Sequence, residues 1–305
     1  MLPSKSKARN GYVTAADGLR LFFEVIGDGP QTVVVPNGLY LRDDLVRLSE
    51  GRTLIFYDLR NRGLSDSVSD PAKLKGGIHN DVDDLEAVRL HLGIGEIALI
   101  GHSYVGLTTI LYAMKYRAKV SRIVQLSPVP PYADKQYPAH LTANDGVLQE
   151  VLANLAELQN QRGDESPVEF CKKFWSVLRT IFVVNAADAT KIDWGRCDLP
   201  NELNSMKYWN EFIFPSMQAL QLRPEDFAKV TAPVLIVHGT KDRSAPYGGA
   251  REWSLLLPDA RLLSLEQAAH APWIEAPEEV FGAITTFLDG TWPQRAVKVE
   301  AVDSR

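Results

Sequence analysis

The sequence predicts an α/β protein: a mostly parallel central sheet, helices on both faces, and a long helical insertion. Three observations carry this. Short apolar runs (TVVV at 32–35, TLIFY at 53–57, IALI at 97–100, RIVQL at 122–126, PVLIV at 233–237) alternate with segments of helical periodicity. The runs are largely apolar throughout rather than at every second residue, as strands buried on both faces are. Between residues 129 and 226 the alternation stops, and no convincing strand core occurs.

Taken in order, residues 11–15 and 19–26 read as a strand pair around the turn Ala16-Asp17-Gly18. Strand 32–35 runs into Pro36-Asn37-Gly38, a helix over 41–49 follows, and strand 53–57 ends at Asp58. Residues 80–92 form a stronger helix. Val82, Leu85, Val88 and Leu92 share a face, and Asp81, Asp83 and Asp84 load its first turn, where the helix dipole favours negative charge. Strand 97–100 gives way at Gly101-His102-Ser103 to a helix carrying Val105, Ile110, Leu111 and Met114 on its apolar face. After strand 122–126 the insertion opens with Pro128-Val129-Pro130-Pro131. Its clearest helices are 146–161 and 167–184, and its aromatic residues are dense. Strand 233–237, a helix over 249–256, strand 261–265 and a helix over 277–288 complete the pattern. The expected organisation is a tail over 1–10, a core over 11–128 and 227–290, a helical cap over 129–226, and a polar tail over 291–305.

The turn after 97–100 carries chemistry. A serine on a sharp strand-to-helix turn presents its hydroxyl above the sheet. The new helix offers unpaired N–H groups and a positive dipole end at the same place, ready for a developing oxyanion. In open α/β sheets, ligands gather at the carboxyl ends of strands. Asn37-Gly38-Leu39, Asp58, Ser103, Asp242 and His270 all fall just past such ends, and three of them follow in the order Ser, Asp, His.

Four stretches together resemble the α/β-hydrolase superfamily, in its lidded esterase and proline-iminopeptidase-like branch. They are the elbow GHSYVG at 101–106, HGTKDRSAP at 238–246, AHAPWIEAPEEV at 269–280 and YDLRNRGLSD at 57–66. The resemblance implies that Ser103 attacks a carbonyl, His270 carries the proton, and Asp242 orients the imidazole. It implies an oxyanion hole made by the backbone N–H groups of Tyr104 and Leu39. Asp58 and Arg60 are then expected as a structural ion pair, His238 as a brace of the acid loop, and Glu275 as a support of the histidine loop. Two positions depart from the family pattern. Val105 stands where a glycine is usual, so the helix must stand off or its strand must present a small residue. Asn37 stands where a histidine is usual.

The activity implied is hydrolysis of a carboxylic ester, lactone or related acyl compound through an acyl-enzyme, with no cofactor and no metal. The apolar insertion favours a fairly apolar small-molecule substrate. Alternatives are a proline-iminopeptidase-like aminopeptidase, a carbon–carbon bond hydrolase, and a slow-turnover receptor that keeps the triad. The first usually shows H-G-G-P-G where this chain has Pro36-Asn37-Gly38-Leu39-Tyr40.

The bulk numbers agree with such a protein. The chain has 305 residues, 45% hydrophobic and 23% charged, with a net charge of −5 and no basic stripe for nucleic acid. No run of about 18 apolar residues suggests a membrane span. The polar start has no apolar signal core, so a cytoplasmic location is expected. Cys171 and Cys197 imply neither a metal cluster nor a disulfide framework and are expected to be unbridged. His102 reads as a packing residue, and His79, His91 and His140 as surface or loop residues.

Overall fold

The computed structural model describes residues 9–133, 135, 137 and 145–300. Its eight strands form one sheet in the order β1-β2-β4-β3-β5-β6-β7-β8. They are β1 (Arg9–Thr14), β2 (Arg20–Ile26), β3 (Gln31–Pro36), β4 (Arg52–Tyr57), β5 (Ile97–His102), β6 (Val120–Leu126), β7 (Val234–Gly239) and β8 (Ala260–Leu265). Only β1 and β2 run antiparallel to their neighbours; from β4 to β8 every pairing is parallel.

Successive strand residues serve opposite faces, as the two-residue strand period requires. On β4, Ile55 and Tyr57 face one core and Leu54 and Phe56 the other. The first core is covered by α3 (Ile78–His91), α4 (Tyr104–Lys115) and α10 (Tyr247–Leu256), which contributes the fully buried Trp253. The second is covered by α1 (Gly38–Leu45) and α12 (Pro277–Leu288). Between them along the chain lie the short helices α2 (Pro71–Leu74), α9 (Pro224–Phe227) and α11 (Pro272–Glu275).

All eight strands lie outside 129–226. That segment carries α5 (Gly146–Asn160), α6 (Pro167–Leu178), α7 (Pro200–Tyr208), a π-helical turn over Trp209–Ile213, and α8 (Phe214–Gln218). Local signals explain these starts. Asp145 and Ser166 cap α5 and α6 through their side chains, and a proline occupies the first turn of α6, α7 and α8.

Several expectations need correction. Arg9 and Asn10 belong to β1 rather than to a tail, because they pair with Val25 and Glu24. Residues 291–300 lie on the body of the protein: Val297 bridges to Leu262, Trp292 sits 4.9 Å from the Phe287 ring, and Ala296 is buried. Cys171 and Cys197 form a disulfide that joins α6 to the loop after Trp194. Spacing along the chain could not show that 26 residues of insertion fold back on themselves. Closing a loop of that size stabilises by about 3.5 kcal/mol in the chain-entropy description. His140 falls outside the described residues, whereas His79 and His91 are exposed on α3.

Asp81 is placed for the helix dipole; it is also fully buried, and neither carboxylate oxygen has a hydrogen-bond partner. Burial, and then the charge of Asp84, push its carboxyl up to about 8, against the pull of Arg60, Arg62 and the Tyr104 hydroxyl. A raised folded-state value means that the folded chain holds a proton the unfolded chain has lost between about pH 4 and 8. The stability contributed by protonated Asp81 is complete below that window and is lost as pH rises through it. Urea unfolding at pH 5 and pH 8.5 should show the native chain losing stability at the higher pH and Asp81→Asn losing less. Parallel pH slopes for the two proteins would refute this account of Asp81.

Candidate active site

The serine is placed by a local constraint. Ser103 lies between β5 and α4 with φ 57° and ψ −127°, a strained conformation for a residue with a side chain. It is held there by its own N–H on the Leu126 carbonyl at 3.0 Å and by its carbonyl, which accepts from Gly106 at 3.0 Å and Val129 at 3.3 Å. No side chain caps α4: the first-turn N–H of Gly106 is taken by the Ser103 carbonyl, while the Tyr104 N–H next to the serine has no capping side chain.

Val105 is buried in the core beside the sheet, and Gly101 on β5 lets the backbone of α4 come close: a Cβ there would meet the Val105 carbonyl oxygen at 2.6 Å and Thr109 Cγ2 at 2.8 Å.

Asp242 and His270 come from the loops after β7 and β8. Gly239 allows these loops to touch: a Cβ there would lie 2.1 Å from the Ala268 carbonyl oxygen, which accepts the Lys241 N–H at 3.0 Å. His270 Nδ1–H donates to Asp242 Oδ2 at 2.8 Å. The N–H groups of Ser244 and Ala245, both at 2.8 Å, donate to Asp242 Oδ1. His238 Nε2–H donates to the Ala245 carbonyl at 3.0 Å and lies 3.1 Å from Asp242 Oδ2. Asp242 is fully buried, which by itself raises its carboxyl. The charge of His270 and hydrogen bonds from His238 and His270 outweigh this and hold it well below the usual carboxylate range.

The histidine loop is tied to the insertion. Glu275 accepts the Ala269 N–H at 2.7 Å with one oxygen and the Val184 N–H at 2.6 Å with the other. The Ala271 N–H donates to the Phe182 carbonyl at 3.0 Å. Arg243, next to the acid, donates to Asp145 at 2.7 Å and to the Val183 carbonyl at 2.9 Å. Phe182 sits 5.3 Å from the His270 ring and 5.3 Å from Trp194. His102 lies on another side of His270, ring centroids 4.6 Å apart, with Trp194 at 5.3 Å and Trp273 at 4.9 Å from it. His102 Nε2–H donates to the His270 carbonyl at 3.0 Å. Burial, then the charge of His270, depress its pKa well below the ordinary value, so it is neutral.

Two predicted features are absent. The Leu39 N–H is not free for an oxyanion: it donates to Asp58 Oδ1 at 2.7 Å. The cause is the loop. Asn37 takes a left-handed backbone (φ 66°), α1 begins at once, and the second donor thereby turns onto the carboxylate. Asp58 accordingly does not pair with Arg60. Its other oxygen accepts the Leu64 N–H at 2.9 Å, while Arg60 forks onto Asp84 at 2.7 and 2.8 Å and reaches Asp17 at 3.1 Å. Burial pushes the Asp58 carboxyl up to about 6, against the pull of its two backbone donors. In addition, among the described residues no hydrogen bond joins Ser103 Oγ to His270. The sequence-based reading also missed Arg243, Phe182 and Trp194. Only the density of aromatic residues in the insertion hinted at the last two.

Ser103 opens onto a cavity of about 320 Å³, whose walls include Val129, Tyr132, Trp209, Phe214 and Met217. Among the described residues, no cluster of three or more His, Cys, Asp or Glu side chains could hold a metal, and no helix is long and apolar enough to cross a membrane.

A sequence model of the alpha/beta hydrolase fold matches residues 36–277. The chain belongs to that family. Its relatives are distant. It is 25% identical to a proline iminopeptidase from Heyndrickxia coagulans, over 92% of this chain and 98% of the other. It is 26% identical to a bifunctional esterase/perhydrolase from Acinetobacter calcoaceticus, over 87% and 95%. Among solved structures, an esterase from Exiguobacterium antarcticum superposes with a TM-score of 0.67 at 20% identity, covering 92% of this chain and 99% of the other. A meta-cleavage product hydrolase from Pseudomonas fluorescens superposes with a TM-score of 0.68 at 18% identity, covering 92% and 97%. Those two likenesses concern the fold. As an α/β hydrolase the chain is a hydrolase by kinship, and its relatives differ in the bond they cleave.

Glu275 gives the first test. Glu275→Ala strands two backbone N–H groups and should cost about 2 kcal/mol or more in denaturant unfolding. Glu275→Gln, which keeps one acceptor, should cost less. Equal losses in the two variants would refute the tie between the insertion and the histidine loop.

Proposed function

We propose that this hydrolase cleaves a carboxylic ester, lactone or related acyl compound of a fairly apolar acid through an acyl-enzyme on Ser103. The observation that carries the reading is the buried Asp242–His270 pair, 2.8 Å apart and oriented so that His270 Nε2 remains the free nitrogen, on the same sheet end as the strained Ser103. His270 takes the serine proton as Ser103 Oγ bonds the carbonyl carbon, then passes it to the departing alcohol. Water repeats the sequence to free the acid. The Tyr104 N–H at the start of α4 is the donor for the oxyanion. Residues 129–226 act as a cap, and their hydrogen bonds to the histidine loop couple cap position to the base.

A second reading, a binding protein that turns over slowly, is favoured by two observations: the Leu39 N–H is engaged by Asp58, and Ser103 makes no hydrogen bond to His270. The aminopeptidase reading has distant relatives but lacks the glycine-rich loop. A fluorophosphonate separates the two main readings. Mass spectrometry should find one adduct, on Ser103, and none in Ser103→Ala. Turnover of a p-nitrophenyl ester should fall by roughly a thousandfold or more in Ser103→Ala and in His270→Ala. An adduct on another serine, or unchanged turnover in Ser103→Ala, would overturn the proposal. Labelling of Ser103 with tight product retention and almost no turnover would favour the binding protein.

His102 is a positioning residue in this scheme, because its Nε2–H fixes the backbone of the base. His102→Leu should lower kcat by about 10- to 100-fold with KM little changed, since a small misplacement of a base is that costly. His102→Gln, which can restore the donor, should recover most of the loss. A change confined to KM, or equal losses in Leu and Gln, would leave His102 a packing residue.

A further inference from the structure

We infer that the cavity at Ser103 is the acyl subsite, that it takes a compact aromatic or branched acyl group, and that Trp209 of the insertion sets its selectivity. The inference rests on the acyl-enzyme reading and deepens it.

Position assigns the subsite. Ser103 lines the cavity, but among the described residues His270 does not. His270 is instead 2% exposed and walled by Phe182 and His102. In acyl transfer Ser103 Oγ bonds the carbonyl carbon, the bond from that carbon to the alcohol oxygen breaks, and the alcohol leaves with the proton carried by His270. The alcohol must therefore lie on the His270 side. The cavity, which Ser103 lines and His270 does not, is left for the acyl group.

The walls assign the chemistry. Val129, Pro130, Tyr132, Trp209, Phe214 and Met217 are apolar or aromatic. The charged Lys135 among the lining residues is already paired with Glu252. Ser244 and the Tyr137 hydroxyl, which donates to Glu252, add polar groups to the lining but no charge to pair with a charged acyl group. Size follows from the volume of about 320 Å³. An apolar cavity of about 150 Å³ holds benzene, so this one holds roughly two such rings and not an extended fatty chain.

Trp209 is singled out by the backbone. It opens the π-helical turn Trp209–Ile213 between α7 and α8, a distortion that recurs at functional sites. The turn sets its ring 5.1 Å from Tyr104, directly after the serine, and 6.1 Å from Phe214. It thus stands between the elbow and the rest of the cavity wall.

The test varies one half of the ester at a time. p-Nitrophenyl acetate, 3-phenylpropanoate and dodecanoate share a leaving group. A second series holds the 3-phenylpropanoyl group and varies the alcohol. The native chain should prefer 3-phenylpropanoate. Trp209→Ala should shift the dodecanoate-to-phenylpropanoate ratio of kcat/KM by about tenfold or more toward the long chain, while ratios across the alcohol series stay within about twofold. Trp209→Phe, which keeps a ring, should move the acyl ratio less. An unchanged acyl ratio, or a shift in the alcohol series instead, would overturn the assignment. Fluorophosphonate labelling of Ser103 in each variant separates the two failures: labelled protein with unmoved ratios refutes this subsite alone, and absent labelling of the native chain refutes the acyl-enzyme.

Discussion

A carboxylate with no access to water has to be compensated by the groups around it, and Asp242 is such a carboxylate. Its donors come from three places: the next turn of its own loop, His238 at the end of β7, and His270 from the loop after β8. Removing one partner of a buried pair costs about 3–5 kcal/mol, a large part of the stability of an ordinary domain. The two loops are therefore fixed relative to each other by charge before any question of catalysis arises. Gly239 is the steric condition for this arrangement, because no side chain fits between the loops there. Arg243 and Glu275, one on each loop, extend the same fixed unit to the insertion.

The sheet and the order Ser, Asp, His were legible because a parallel strand buried on both faces has a plain signature and its carboxyl end is where the chain turns. The braces His238 and Glu275 were legible too, since each lies within a few residues of the group it holds. What the chain hid depends on distant contacts. The partner of Arg60 is Asp84 on α3 rather than Asp58 two residues away, a choice made by packing. Asp81 was legible as a first-turn acid, but not that its side of α3 faces the core. The disulfide and the docking of Ala296 and Val297 against the sheet also require residues far apart in sequence to meet.

The insertion shows how an aromatic-rich segment serves two ends. Trp175, Phe182 and Trp194 belong to the core on one side of the sheet and are nearly buried. Trp194 is also an edge of the box around His102, next to Gly195, which lies against the Trp175 ring, and three residues before Cys197, which closes the bridge. Packing that stabilises the insertion is thus the same packing that confines His270. Phe214 and Trp209, by contrast, face the cavity, so the apolar residues divide between core and site by position along the insertion rather than by type.

The loop after β3 sets a competition that bears on how fast such a site can work. A backbone N–H given to a charged carboxylate is worth about 1.5–3 kcal/mol net. One oxyanion-hole donor is worth about 2.7–4 kcal/mol at the transition state. For Leu39 these magnitudes nearly cancel: an oxyanion at Ser103 could recruit its N–H only by taking it from Asp58, and the surplus would be about 1 kcal/mol, roughly fivefold in rate. A hole built on the Tyr104 N–H alone would thus forfeit most of the benefit that a second free donor brings. The competition eases where Asp58, with a carboxyl pushed up to about 6, takes up a proton. On the proposed acyl-enzyme, the left-handed Asn37 that turns Leu39 onto Asp58 is therefore the feature that most restrains turnover.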